Sequence, residues 1–281
     1  MDINFKPYSL NINKNLYTIH EPKVMGILNV TVDSFYDGGQ YGTIDSALFQ
    51  VEKMLMDGAD FIDVGGQSTR PGADEVPEAF EIKNTSEIIQ AINKRFPEAI
   101  ISIDTYRQIV AEMAVASGAT IINDISAGEN DVKMLPYVAE TKLPFIAMHK
   151  QGNSKTMQIN PQYENVCTDV MAYFVKKKNQ LITLGIKDII VDVGFGFGKT
   201  MEHNYDLLKH LSLFHALNSP ILVGVSRKGM IWKALGTSPE EALAGTITAN
   251  TIALLQGAHI LRVHDVKEAK DAIKIVSMLN L

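Results

Sequence analysis

Short apolar runs alternate with longer amphipathic segments from Val24 to the end of the chain. Each run of five to seven residues is followed by a polar or glycine-rich loop and then by a segment of helical periodicity. The eight runs occupy 24–30, 60–66, 100–105, 120–126, 144–149, 189–193, 221–226 and 260–265. Continuous apolar runs of this length indicate strands that are buried on both faces. Eight strand–helix repeats predict a closed (β/α)8 TIM barrel, with an open doubly wound sheet as the alternative.

The segments between these strands differ in how clearly their sequences predict a helix. The segments 163–184 and 240–256 have long and regular helical patterns, whereas the segment 131–140 is interrupted by Pro136. Residues 1–23 alternate loosely between apolar and polar positions around Asn13-Lys14-Asn15, which predicts a short hairpin before the barrel. We expect this hairpin to close one end of the barrel.

Composition describes an ordinary globular protein. The 281 residues are 46% hydrophobic and 21% charged, and no linker divides them, so we expect one domain over 1–281. A net charge of −6 argues against nucleic-acid partners. Cys167 is the single cysteine, which excludes an intramolecular disulfide and a structural zinc site. The absence of a signal segment or of an apolar span of about 18 residues predicts a cytoplasmic protein without membrane contact.

The stretch 189–200, IIVDVGFGFGKT, carries the first chemical signal. Asp192 ends an apolar strand, where a buried acid needs strong partners or a ligand. Alternating glycines follow it, and we expect them to bend the backbone tightly and to present the rings of Phe195 and Phe197 at a pocket. The segment also resembles a phosphate-binding P-loop, but Val193 stands where that motif requires glycine, which argues against this alternative.

Polar side chains stand at or just after the end of every apolar run. The carboxyl ends of the strands share one mouth in a (β/α)8 barrel, so these side chains are expected to converge there. They are Asn29, Thr69, Arg70, Asp104, Asn123, Asp124, His149, Asp192, Arg227, Lys228, Arg262, His264 and Asp265. One such residue alone is more often a helix cap or a salt-bridge partner. The recurrence at all eight strands favours a functional site.

These residue types suit two kinds of ligand. Asp104, Asn123 and Asp192 offer acceptors and one amide, which match a flat heterocycle of the pterin or purine type. Lys228 and Arg262 add cationic donors.

An anion is the second kind of ligand. Arg70 and His264 are suited to a phosphate or a diphosphate. Asn29 provides an oxygen that is compatible with Mg²⁺.

At these residues the chain resembles the dihydropteroate synthase family, which joins a dihydropterin to 4-aminobenzoate in folate synthesis. The resemblance covers 24–270 and rests on a series of motifs in family order: MGILNVTVDSFYDGG, VGGQSTRPGA, ISIDTYR, IINDIS, MHKQG with TMQ, DVGFGFGK, VGVSRK and RVHDV.

The resemblance implies a role for each matching residue. Asp104, Asn123, Asp192 and Lys228 would hold the pterin, and Asn29 would reach the Mg²⁺-bound diphosphate. Arg70, Arg262 and His264 would lie near that anion, while Thr69, Pro71, Phe197 and Lys228 would shape the aminobenzoate pocket. It also implies that Lys228, Asp104, Asp192 and Arg262 are catalytic and that the diphosphate leaves before the amine attacks. Sulfonamides are implied as inhibitors. The family further implies a homodimer formed through helices late in the chain.

Four positions depart from the family pattern. Val32 and Val193 replace prolines, Gln67 replaces a glutamate, and Gly229 replaces a serine after Lys228. The missing hydroxyl at 229 removes a hydrogen bond that the aminobenzoate carboxylate would otherwise accept. The glycine-rich loops 31–42 and 67–76 are expected to act as mobile lids over the reaction.

Three other functions stay open from the residues alone. A methyl-transferring pterin barrel would use the same heterocycle face, although the SRK, STRP and RVHD segments argue against it. A Schiff-base aldolase would need Lys228 uncharged, which borohydride trapping with a carbonyl substrate would reveal. A pterin-binding paralogue without turnover would have lost a central polar residue, and none is missing.

Overall fold

The computed structural model describes residues 5–30, 39–67, 76–152 and 161–280. A two-stranded antiparallel hairpin precedes the barrel, formed by β1 (Tyr8–Ile12) and β2 (Asn15–Ile19). Asn13 and Lys14 have φ values of 52° and 63°, the left-handed conformation that two-residue hairpin turns require. The predicted N-terminal hairpin is therefore confirmed.

Eight parallel strands of the described residues close into a barrel in the order β10-β3-β4-β5-β6-β7-β8-β9. They are β3 (Lys23–Asn29), β4 (Phe61–Gly65), β5 (Ile101–Asp104), β6 (Ile121–Asp124), β7 (Phe145–Met148), β8 (Ile189–Asp192), β9 (Ile221–Val223) and β10 (Ile260–Val263). The predicted (β/α)8 barrel is confirmed, and the open sheet is wrong. Most strands end earlier than their apolar runs, so several of the polar residues lie in the loops beyond the strands.

Helices surround the strands. Those of the described residues are α1 (Gly39–Met56), α2 (Glu78–Arg95), α3 (Gln108–Ala116), α4 (Met134–Thr141), α5 (Val166–Thr183), α6 (Met201–Lys209), α7 (Gly229–Leu235), α8 (Leu243–Leu255) and α9 (Val266–Ser277), with 3-10 turns at Leu211–Leu217 and Met278–Asn280. Among the described helices, none combines the length and the apolar composition that a bilayer crossing requires.

The helix boundaries follow local chemistry. Helix α5 begins later than predicted because the Asn165 side chain caps it, accepting from the Thr168 amide at 3.0 Å. Helix α8 also begins later, at Leu243. Helix α4 tolerates Pro136 because this proline lies in the first turn, where no intrahelical partner for its nitrogen is needed.

The hairpin closes the amino-terminal end of the barrel, as expected. Leu10, Ile12 and Ile19 are buried, and they form one cluster with residues near the starts of the barrel strands, including Phe61 and Ile260. A larger apolar cluster lies between the strands and the surrounding helices. The carboxyl end of the barrel is the end where the polar residues gather.

Candidate active site

Two acids and an amide from neighbouring strands surround one arginine at the carboxyl end of the barrel. The Nε of Arg262 donates to Asp63 at 2.6 Å, and its Nη2 donates to Asp104 at 2.7 Å. Asn123 donates through Nδ2 to the same Asp63 oxygen at 3.0 Å. The structure thus brings Asp104, Asn123 and Arg262 together, as the strand-end pattern predicted. The three are joined through Asp63, which the sequence analysis did not single out.

Burial dominates the electrostatics of the acids. It raises the pKa of Asp104 to about 7, although Arg262 opposes the shift. It also raises the pKa of Asp192, against the attraction of Lys228. For Arg262, burial alone would lower the pKa, but the carboxylates of Asp63 and Asp104 outweigh burial and raise it. The arginine is therefore the permanent charge of the cluster.

The loop after β8 depends on its glycines. Gly194 and Gly198 have φ values of 73° and 66°, and a β-carbon on either would overlap a main-chain carbonyl oxygen, of His149 or of Gln151 respectively. The Gly194 amide donates to the Asp192 carboxylate at 2.8 Å, which fixes the acid relative to the loop. Asn204 of α6 accepts from the Gly196 amide at 2.7 Å. These contacts fix the backbone conformation of the loop, and the loop in turn fixes the position of the Asp192 carboxylate.

A buried lysine holds this loop from beneath. Lys199 is 2% exposed, and its ammonium group lies 2.8 Å from the Gly194 carbonyl, 3.1 Å from the Phe197 carbonyl and 3.0 Å from Nδ1 of His149. Burial lowers the pKa of Lys199 to about 7 and that of His149 to about 3. Lys199 is therefore part of the loop's framework, whereas a P-loop lysine would face phosphate.

Lys228 and Phe197 form the other side of the mouth. The Lys228 ammonium lies 4.6 Å from the centre of the Phe197 ring and donates to the Phe195 carbonyl. Burial lowers the pKa of Lys228 to about 8, against the opposing attraction of Asp192. The expectation for Phe195 is wrong: its ring is fully buried in the core. The backbone turns at Gly196, whose φ is 82°, so the rings on either side of this glycine point in different directions.

Four of the converging strand-end residues have other partners. Asp124 accepts from Ser126 and from the Gly128 amide, so it shapes its own loop. His149 packs against aromatic rings and Lys199. Arg227 and Asp265 form a two-point ion pair at 2.7 and 3.0 Å. The expectation that all eight strand ends contribute to the site is therefore wrong for these residues.

Asn29 and His264 lie at the rim. Asn29 is exposed at the end of β3, and a β-carbon on Gly65 would lie 3.8 Å from its Oδ1 and 3.7 Å from Oδ2 of Asp104. Both oxygen atoms thus lie within 4 Å of the space beside Gly65. His264 is exposed, and its Nδ1 lies 3.0 Å from Ser226 Oγ.

Thr69, Arg70 and Pro71 lie outside the described residues, as does most of the two predicted lid loops. One boundary of the first loop is wrong: helix α1 already begins at Gly39. The end of the second loop is anchored at Val76, whose carbonyl accepts from Arg107 at 2.8 Å. Arg107 also donates to the buried Glu81 at 2.6 Å.

Asp63, Lys199 and the pair Glu81–Arg107 were not predicted from the sequence. A signal for Asp63 was present, because it is an acid within the apolar strand FIDVG, the same pattern that drew attention to Asp192. Lys199 and Glu81 carried no comparable signal, since a lysine after a glycine loop and an acid in a helix are usually solvated.

Comparison with known proteins agrees with this geometry. A family model described as "Pterin binding enzyme" matches residues 25–264. The Haemophilus influenzae dihydropteroate synthase is 44% identical over 268 residues, which cover 95% of this chain and 97% of that protein.

The chain belongs to the dihydropteroate synthase family. It is accordingly a transferase of folate biosynthesis.

Two solved structures of this family superpose closely. The Yersinia pestis dihydropteroate synthase with a sulfonamide drug complex has a TM-score of 0.91 and 41% identity, with 97% of this chain and 99% of that chain covered. The Xanthomonas albilineans dihydropteroate synthase with 4-aminobenzoic acid has a TM-score of 0.90 and 35% identity, with 98% of each chain covered. The one-domain organisation over 1–281 stays a prediction.

The structure shows the surroundings of Val193 and Gly229, two positions that depart from the dihydropteroate synthase pattern. Val193 is fully buried in the core. Gly229 begins α7, and the nearest atom to a β-carbon there would be Cε of Lys233 at 3.7 Å, so a side chain fits. Val32 lies outside the described residues.

Proposed function

We propose that this chain condenses (7,8-dihydropterin-6-yl)methyl diphosphate with 4-aminobenzoate to give 7,8-dihydropteroate and diphosphate. The observation that carries the proposal is the cluster of Asp104, Asn123 and Arg262 at the mouth of a barrel from this family. Pterins present amino, ring N–H and carbonyl groups on flat edges, which acids and an amide match by hydrogen bonds. The choice of reaction follows the similar proteins, which are dihydropteroate synthases.

The second substrate has a place beside the first. The Phe197 ring and the Lys228 ammonium, 4.6 Å from the ring centre, offer an apolar face and a positive charge to an aromatic carboxylate. Thr69 and Pro71 join this pocket through the family resemblance alone. The structure of the Xanthomonas albilineans relative with 4-aminobenzoic acid supports the choice of substrate.

Mg²⁺ is proposed as the cofactor, with Asn29 as a ligand and the diphosphate as another. The exposed position of Asn29 near the Asp104 carboxylate fits a cation that keeps several waters and binds through substrate phosphates. When bound, the ion would neutralise charge on the diphosphate. Arg70, Arg262 and His264 would add positive charge from the protein side.

The proposed reaction order is ionisation first. The bond between the pterin methylene carbon and the diphosphate oxygen breaks, and its electron pair leaves with the diphosphate. The aminobenzoate nitrogen then bonds to the methylene carbon and releases one proton to solvent. This order suits the residues present, because an aromatic amine is already neutral and nucleophilic at pH 7 and needs no general base. Asp104 and Asp192 would stabilise the positive charge that develops on the pterin.

The function is tested by mixing protein, the dihydropterin diphosphate, 4-aminobenzoate and Mg²⁺ and measuring dihydropteroate and diphosphate. Absence of both products from folded protein would contradict the proposed reaction. The order is tested without 4-aminobenzoate, by following oxygen-isotope exchange between bridging and nonbridging positions of the diphosphate. A strict requirement for 4-aminobenzoate in this exchange would favour direct displacement.

A homodimer and a cytoplasmic location complete the proposal. Large apolar side chains are exposed on the last helices, with Leu235 54%, Ile252 38% and Ile275 68% accessible, which supports a partner surface there. Analytical ultracentrifugation of the wild-type chain and of an Ile275→Lys variant tests the dimer. A monomer at micromolar concentration would contradict it.

A further inference from the structure

Asp63 lies at the centre of the site although no role has been assigned to it. It is fully buried in the middle of β4, and its Oδ2 accepts from Arg262 and from Asn123 at 2.6 and 3.0 Å. These partners come from β10 and β6, each two strands away from β4 in the barrel. Side chains from alternate strands share one layer of such a barrel, so one carboxylate joins three strands.

The contact with Asp63 decides which way the Asn123 amide faces. Oδ2 of Asp63 is paired with a guanidinium, which can only donate, so this oxygen acts as an acceptor. Asn123 must therefore turn its NH₂ group toward Asp63. Its carbonyl oxygen is then the atom that remains for a ligand, and the reverse orientation would set two acceptors against each other.

The same carboxylate fixes the plane of the guanidinium. Arg262 uses Nε on Asp63 and Nη2 on Asp104, a two-point arrangement that leaves its other N–H groups in a defined direction. Loss of the Asp63 contact would leave Arg262 held at one point only. Two residues predicted to bind substrate thus depend on one residue that need not touch substrate.

We propose that Asp63 is a positioning residue that orients Asn123 as an acceptor and thereby makes the site select heterocycles with a donor at that edge. The proposal rests on the proposed function, since it assumes that Asn123 faces the 2-amino edge of the pterin. It adds a source of specificity: a pterin, which has a 2-amino group, should be preferred to a lumazine, which has a carbonyl oxygen there.

The test compares pterin and lumazine binding by calorimetry, without turnover, in wild-type protein and in Asp63→Leu. The new side chain has nearly the same shape but no acceptor, so it lets the Asn123 amide rotate. We expect wild-type protein to prefer pterin by roughly tenfold to a hundredfold, and the variant to lose most of this preference, the effect of one mismatched buried hydrogen bond. An unchanged ratio in the folded variant overturns the proposal. A wild-type protein that binds neither compound instead contradicts the proposed function.

Asp124→Leu is the matched control. Asp124 is an equally buried acid on β6, but its carboxylate contacts Ser126 and Gly128. Its replacement should lower the thermal unfolding midpoint and leave the pterin-to-lumazine ratio unchanged. An equal loss of preference in both variants would mean general loosening of the site and would overturn the role of Asp63.

A double variant tests whether Asp63 acts through Asn123. In an Asn123→Ala background, Asp63→Leu should no longer change the ratio, because the amide that Asp63 orients is gone. If Asp63→Leu does not fold, wild-type protein with ¹⁵N-labelled asparagine tests the contact. Slow solvent exchange of the Asn123 side-chain protons supports it, and fast exchange overturns it.

Discussion

The ammonium group of Lys228 lies 4.6 Å from the centre of the Phe197 ring, and it also contacts the loop that carries that ring. A cation over an aromatic face contributes about 0.5–2 kcal/mol, depending on how far the pair is removed from water. We expect Phe197→Leu to raise the KM for 4-aminobenzoate by roughly fivefold, with unchanged calorimetric affinity for pterin. A parallel loss of pterin affinity would contradict the division of the mouth into two subsites.

Asp192→Asn should weaken pterin binding far more than 4-aminobenzoate binding. An acceptor would become half donor against ring N–H groups, at a cost of about 1–3 kcal/mol. Calorimetry with a pterin alone measures this change. Asp265→Asn is the control, because Asp265 pairs with Arg227, so its pterin affinity should equal that of wild-type protein. Unchanged pterin affinity in Asp192→Asn would place the heterocycle elsewhere.

Gly194→Ala should destabilise the protein much more than Gly185→Ala. Both glycines have positive φ, at 73° and 89°, so both substitutions carry the left-handed penalty of about 1 kcal/mol. Only at Gly194 would the new β-carbon overlap a carbonyl, whereas nothing lies within 4 Å of it at Gly185. Urea unfolding should therefore give a loss of at least about 3 kcal/mol for Gly194→Ala. Equal losses would show that the β8 loop can move.

Lys199 predicts a pH dependence of stability. Burial lowers its pKa from 10.5 to about 7, so between these values the unfolded chain holds a proton on Lys199 that the folded chain does not. Stability from this group therefore rises as pH increases from 7 to 10. Lys199→Met has no such group. The free energy of unfolding of wild-type protein, measured relative to that of the variant, should therefore increase from pH 7 to pH 10. A constant difference would contradict the lowered pKa, and Lys83→Met provides a control at an exposed lysine.

Gly229→Ser should be tolerated and should improve use of the aromatic acid. A β-carbon at 229 would meet no atom closer than 3.7 Å, and serine loses less entropy than glycine in the first turn of α7. We expect an unchanged or slightly higher unfolding midpoint and a KM for 4-aminobenzoate lower by roughly threefold, the effect of about one hydrogen bond. An unchanged KM would place the carboxylate away from α7.

The sequence by itself predicted a parallel sheet covered by helices, because eight apolar runs separated by amphipathic segments bury their apolar faces in that way. The number of repeats favoured a closed barrel over an open doubly wound sheet, and the structure shows the closure. The sequence also placed Asp104, Asn123, Asp192 and Lys228 at one mouth, since parallel strands end on the same side. These inferences need only the position of a residue along its strand.

Tertiary structure decided which polar residues meet. Asp124 and Asn123 are adjacent in the chain, yet their side chains lie on opposite faces of β6, and only Asn123 reaches Asp63. Phe195 and Phe197 look equivalent in the glycine loop, but the loop's path buries one ring and leaves the other under Lys228. Hydrogen bonds and ion pairs act over about 3 Å, so they depend on side-chain direction and on the partner strand, and both are set by how the barrel closes.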